Sequence, residues 1–175
     1  MSQVDIRRPP DRSEYAEYYG TYIDRVPDGN ITEYLDSQIA EFRKVLDSID
    51  ESTASVLHEP YTWTIKQVVG HLIDAERVFG YRALRFASGD TRPIIGMEQN
   101  PWVDNSDYNT PTLAQLTEEL EHSRRANLCF FRRIKPEAWD RKAAADGNDM
   151  TVRALAYCLV GHIIHHLEII KSRVA

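Results

Sequence analysis

Four of the six histidines in this chain stand in apolar surroundings, and three of those four crowd into GHIIHHLEII, residues 161–170. Unprotonated imidazoles serve as metal ligands, bases and proton carriers, so their spacing decides what they can do together. On a helix, positions four apart lie about 40 degrees from one another, which stacks His162 and His166 on one face. Their stripe, Val152, Leu155, Leu159, His162, His166 and Ile169, is the one expected to face a core. Two imidazoles so arranged can chelate one ion, as i,i+4 histidines do on zinc helices. His165 stands about 60 degrees from His162 and about 100 degrees from His166, and does not easily share one coordination sphere with both. It is read as a residue beside the site, at the helix edge or at an interface.

A third ligand then has to come from elsewhere. His71, in VVGHLIDAE with apolar neighbours on both sides, is the candidate. A lone histidine on an apolar face is more often a hydrogen-bonded core residue. Its coincidence with a His-x-x-x-His pair on another core-facing helix argues for ligation. Three neutral imidazoles with an open position match a catalytic site of zinc type. Asp74, three residues after His71, is expected to orient that imidazole. Cys158, one turn before His162, is a weaker donor candidate and an equally good apolar filler. Glu76 points away from the His71 face, towards solvent or an arginine, and His58 and His122 read as surface residues. Ile163 stands where a metalloprotease helix carries its glutamate base. The glutamates and Glu-x-x-His repeat of a di-iron bundle are missing. A mononuclear site without an evident general base remains.

Four long amphipathic segments must position these side chains. Leu35, Ile39, Phe42, Val45, Leu46 and Ile49 make one stripe of a helix over residues 31–49, with Thr32 as its expected cap. Thr64 and Gln67 form a capping box before the segment that carries His71, with Ile65, Val68, Val69, Leu72, Ile73, Phe79 and Leu84 on its apolar side. A third helix runs from Thr112 to Ile134, with Leu113, Leu116, Leu120, Leu128 and Phe131 inward, and Thr151 caps the last. Between the second and third lies an irregular stretch from Gly89 to Pro111, about twenty residues long, which marks a lid or pocket wall. Trp102, Asp104, Asn105 and Tyr108 are its pocket candidates. KPEAWDRKAAADGNDM reads as a second irregular connector, residues 1–12 as an irregular arm, and Tyr15, Tyr18, Tyr19 and Tyr22 as one face of a short extra helix. The fold class expected is all-α, a single four-helix bundle domain over residues 13–175.

Composition narrows the partners. A net charge of −6 over 175 residues, without a long basic run, argues against nucleic acid as the partner. No stretch approaches the roughly 20 apolar residues that span a membrane. The N-terminal residues lack the apolar segment of a secretory signal, and two distant cysteines suggest reduced thiols. A cytoplasmic protein is expected.

YTWTIKQVVGHLIDAERVFGYRALRFA and MTVRALAYCLVGHIIHHLEII together resemble the two histidine-bearing helices of the DinB-like superfamily, and the likeness runs from about Ser13 to the C-terminus. The resemblance implies a four-helix bundle of DinB/YfiT type with crossed-over connectivity, a divalent metal on His71, His162 and His166, and a homodimer. Zinc or nickel are the foremost ions, although three imidazoles also accept copper or iron. Relatives include S-transferases and isomerases that use low-molecular-weight thiols, and metal-dependent hydrolases. The implied activity is therefore thiol transfer or hydrolysis on a small electrophilic molecule. A non-catalytic, stress-associated metal-binding homodimer is the alternative.

Overall fold

The computed structural model describes residues 8–174. In chain order its helices are α1 (Gly20–Ile23), α2 (Ile31–Leu46), α3 (Glu51–Ala54), α4 (Ile65–Ala87), α5 (Gln99–Asn105), α6 (Leu113–Arg133) and α7 (Val152–Arg173). A hairpin of β1 (Lys142–Ala145) and β2 (Asn148–Thr151) precedes α7. Much of the expected arm, residues 1–7, lies outside the described residues.

The long helices begin where side chains can accept their first amides. Thr64 and Gln67 close a capping box on α4, Thr112 and Gln115 do the same on α6, and Thr151 accepts the amide of Ala154 on α7. On α2 the cap is Asn30 and not Thr32: the Asn30 side chain accepts both the amide and the hydroxyl of Thr32. That helix also stops before Ile49, because the amides of Ser48 and Ile49 turn back to the carbonyls of Val45 and Leu46 in a tighter final turn.

Both α2 and α4 pack against α6 and α7, so α2 and α4 occupy opposite corners, as do α6 and α7. The connections from α2 to α4 and from α6 to α7 therefore each cross the bundle diagonally, while the long stretch from α4 to α6 joins neighbours. α7 is the element most enclosed: every residue from Val152 to Ile163 is buried, as its nearly unbroken apolar sequence demands. α1 packs on it and carries Tyr22. Gly161 makes that approach possible, since a side chain there would collide with the backbone of Tyr22. The four tyrosines do not share the one helical face expected, because Tyr15 is extended and Tyr18 and Tyr19 lie in a 3₁₀ turn before α1, which leaves Tyr18 exposed.

Two connectors hold more structure than the sequence reading expected. AAADGNDM is a hairpin whose turn residues Asp146 and Gly147 both have positive φ, 55° and 71°. Two such residues form the hairpin turn whose twist matches its strands. Ile94, from the stretch after α4, bridges to Ala145 at the hairpin tip, and the amide of Asp146 donates to its carbonyl at 2.9 Å. The same stretch then forms α5. Leu84, expected inward, is exposed.

One polar assembly sits inside the apolar bundle. Arg124 has no exposed surface; its Nε and Nη2 donate to Glu76 Oε1 at 2.9 and 2.5 Å, and Nη1 donates to Gln38 Oε1 at 2.6 Å. Arg124 Nη2 also donates to the carbonyl of Leu159, and Gln38 Nε2 to that of Val160, both at 3.0 Å. Asn127 completes the set by donating to Glu76 Oε2 at 2.8 Å. All four long helices thus meet at one guanidinium. Removing one member of a buried pair leaves the other charge unpaired and costs about 3–5 kcal/mol. Arg124→Met is predicted to lose stability on that scale in urea denaturation; a loss below about 1 kcal/mol would show the pair to be dispensable.

Candidate metal centre

His71 comes from the buried face of α4, and His162 and His166 from the face of α7 that meets it. Nε2 of His162 lies 3.1 Å from Nε2 of His71 and 3.1 Å from Nε2 of His166. One nitrogen from each ring falls within a group no wider than 4.8 Å, and no other residue joins it among the described residues. Nitrogens bound at 2.0–2.1 Å around a tetrahedral ion sit about 3.3 Å apart, so the donor set fits a metal ion. Burial pushes the His71 imidazole down to about 4. His162 and His166 are also held well below the ordinary histidine value, by burial first and then by the neighbouring imidazoles. All three are accordingly neutral near pH 7, the form that offers a lone pair.

The surrounding contacts differ from the expectation for Asp74. Its carboxylate accepts the Tyr108 hydroxyl at 2.6 Å and leaves the His71 ring alone. His71 Nδ1 and His166 Nδ1 are buried with no hydrogen-bond partner among the described residues. Three residues of helix put Asp74 near the His71 face, but Tyr108, whose ring lies over Gly70, reaches it first. Burial raises both members of this pair, Tyr108 to about 12. His71 is instead held by ring contacts, with Trp63 at 5.2 Å between centroids. His165 sits outside the nitrogen cluster, half-buried, edge-on to Tyr22 at 5.5 Å and to His166 at 5.0 Å. Cys158 is fully buried, its thiol raised by that burial, and is not in the cluster. His58 donates to the carbonyl of Thr53 and His122 is exposed, away from the site.

A cleft of about 380 Å³ opens onto His71 and His162. One wall is the α4 face running from His71 through Ala75 and Phe79 to Arg82; Tyr18, Tyr19 and Tyr22 form another, and Met97–Pro101 with Asp146 close the rest. Tyr22 and Phe79 stand edge-on to the His162 ring at 5.0 and 6.1 Å. None of Trp102, Asp104, Asn105 and Tyr108 is among the lining residues. Trp102, Asp104 and Asn105 lie in α5, and Tyr108 follows it. Trp102 lines a neighbouring groove with Ile94 and Ile95, Asp104 is exposed, Asn105 donates to the Pro101 carbonyl, and Tyr108 is held by Asp74. Arg82 is one of several lining residues absent from the sequence-based candidates. Its signal was available: eleven residues beyond His71 is three helical turns, within about 20 degrees of the same face.

A search of the curated proteins finds no match to this chain. Among solved structures it is similar to YfiT from Bacillus subtilis, with 18% sequence identity and a TM-score of 0.74 over 95% of this chain and 91% of that one. YfiT is described as a probable metal-dependent hydrolase with an unusual four-helix bundle topology, and the likeness carries the fold. A family model for the DinB superfamily matches residues 34–170, which take in α4, α6, most of α7 and all three clustered histidines. With most of its length inside that match, the chain belongs to the DinB superfamily.

Proposed function

We propose that this chain is a metal-dependent enzyme acting on a small molecule, with hydrolysis as its reaction and Nε2 of His71, His162 and His166 as the ligands. The observation that carries the reading is the convergence of three buried, neutral imidazoles beside an open cleft. The description of YfiT supports it. Bound there, a divalent ion such as zinc or nickel supplies Lewis acidity, polarising a carbonyl and acidifying a water or thiol. The chain's own part is to hold and surround. Tyr22 and Phe79 pack their rings about His162 and exclude solvent from its sides, while Glu98 and Asp146 are the carboxylates in the cleft available to accept a proton. A second reading, thiol transfer, is favoured by one fact: no carboxylate joins the three nitrogens among the described residues. An acidified thiol is its own nucleophile and needs less help from a protein base.

His71→Ala tests the reading. It is expected to remain folded, to lose stoichiometric metal in elemental analysis, and to lose turnover of activated esters and amides that the metal-loaded parent hydrolyses. Acceleration only on adding a small thiol, with a thioether product, would favour transfer. Full turnover in His71→Ala would sink both readings. Metal loss together with collapse of thermal stability, and no turnover by the parent, would point to a structural centre instead.

The pH dependence of folding follows from the same burial. His71 keeps no proton in the folded chain until the pH falls to about 4, whereas an unfolded histidine takes one up near 6.5. The unfolded state therefore binds more protons between those values, and stability falls as the pH drops through that window. His71 alone accounts for about 3 kcal/mol of the loss, and His162 and His166 act in the same direction. Urea midpoints of the metal-free protein from pH 7 to 4 should fall steeply, and the slope should be shallower in His71→Ala. Equal slopes would show that the imidazole is not buried as described.

A further inference from the structure

We propose that Arg82 receives the carboxylate of the molecule whose reactive group sits at the histidines, so that the cleft selects small monoanionic substrates. The inference deepens the metal-dependent reading of this cleft, but its charge argument stands without the ion. Arg82 is 3% exposed, and its Nε has no hydrogen-bond partner. The other deeply buried cations are paired: Arg124 with Glu76, Arg153 with Asp140 and Lys66 with Glu51. Arg82 has no carboxylate partner among the described residues; its guanidinium lies over the Phe79 ring at 5.7 Å and beside the Tyr19 hydroxyl. A buried cation without an anion is costly unless something brings the anion to it. Here the side chain borders a cleft open to solvent.

Geometry sets the size of the visitor. Phe79 stands between the two ends, 5.7 Å from the guanidinium carbon and 6.1 Å from the His162 ring, which places that carbon within about 12 Å of the ring. A short chain or a single aromatic ring covers such a gap, and the aromatic edges of Tyr19, Tyr22 and Phe79 offer an apolar middle. The planar guanidinium fork matches a carboxylate in two parallel hydrogen bonds. Glu98 and Asp146 also line the cleft, and their charge repels a dianion about twice as strongly as a monoanion. That favours carboxylate over phosphate.

The test uses three probes of one shape, phenylacetate, phenylacetamide and benzylphosphonate, titrated into the metal-loaded and the chelator-treated protein. NMR follows the Nε resonance of Arg82. Phenylacetate is expected to bind at least about tenfold more tightly than the amide, to shift that resonance, and to lose about tenfold to a hundredfold in Arg82→Met. Arg82→Lys should recover part of the loss, while the amide should bind both variants as it binds the parent. Circular dichroism checks the fold of each variant, and the resonance shift in the parent stands if a variant does not fold. Equal binding of acid and amide, an unmoved resonance, or an unaffected Arg82→Met would overturn the proposal, and tighter binding of the phosphonate would overturn the carboxylate class. Phenylacetate binding that vanishes with the metal but survives Arg82→Met would put the carboxylate on the ion, ending this proposal and leaving the metal reading intact. Binding that depends on Arg82 in a protein that takes up no metal would do the reverse.

Discussion

The buried guanidinium of Arg124 fixes where everything else can be. It holds α4 through Glu76 and α2 through Gln38, while together with Gln38 it grips α7 at the carbonyls of Leu159 and Val160. Those carbonyls stand just before Gly161 and His162 in the chain, and Glu76 stands just over one turn beyond His71. Apolar packing alone tolerates sliding, because one leucine layer resembles the next. A slide of one turn here would carry His162 about 5.4 Å past His71 and leave a buried carboxylate and a guanidinium unpaired. Polar groups in a core are well suited to choosing one register among several. The 3.1 Å spacing of the imidazole nitrogens is thus set by a neighbouring layer, not by the histidines themselves.

The same enclosure gives the histidines their chemistry at a cost to stability. Packing His162 among Tyr22, Phe79 and two other imidazoles keeps it uncharged and available as a ligand. It also leaves polar nitrogens at His71 and His166 buried and without a partner among the described residues, an arrangement that no stability argument favours. Functional sites are where such departures from good packing concentrate. Gly161 belongs to that departure. A larger residue would strengthen α7 as a helix but push Tyr22 off the His162 ring.

Much of this was legible in the chain. Helical spacing separates His162 and His166 from His165, and side-chain caps announce α4 and α7. The bundle and its crossed connections were implied by the resemblance, and the structure and the family match show them. Several polar partners escape a reading that follows apolar stripes alone and passes over the polar residues within them. Leu120 and Leu128 are four residues either side of Arg124, so the stripe itself marks that arginine as inward. The same holds for Gln38 beside Ile39 and for Arg82 on the His71 face. Asp74 failed differently. Its nearest partner, Tyr108, is thirty-four residues away, and local spacing cannot foresee a competitor from a distant loop. KPEAWDRKAAADGNDM reads as an irregular connector, yet its DG, with apolar residues before it and Met150 after, announces a hairpin.

The cleft therefore has two kinds of wall, and they constrain different things. His71, Phe79 and Arg82 all line the cleft from α4, so the distance between the histidine end and the cationic end is set by helical rise and cannot drift with the loops. The opposite side is made of Met97–Pro101 and the hairpin tip, joined through the Ile94 bridge. Such segments tolerate change without disturbing the bundle. Membership of the DinB superfamily can thus preserve the three-histidine centre while leaving the reaction's substrate open. In this chain the part of recognition that concerns charge is built into the rigid side, where a helix holds the guanidinium at a set distance from the imidazoles, and the part that concerns shape is left to the loops.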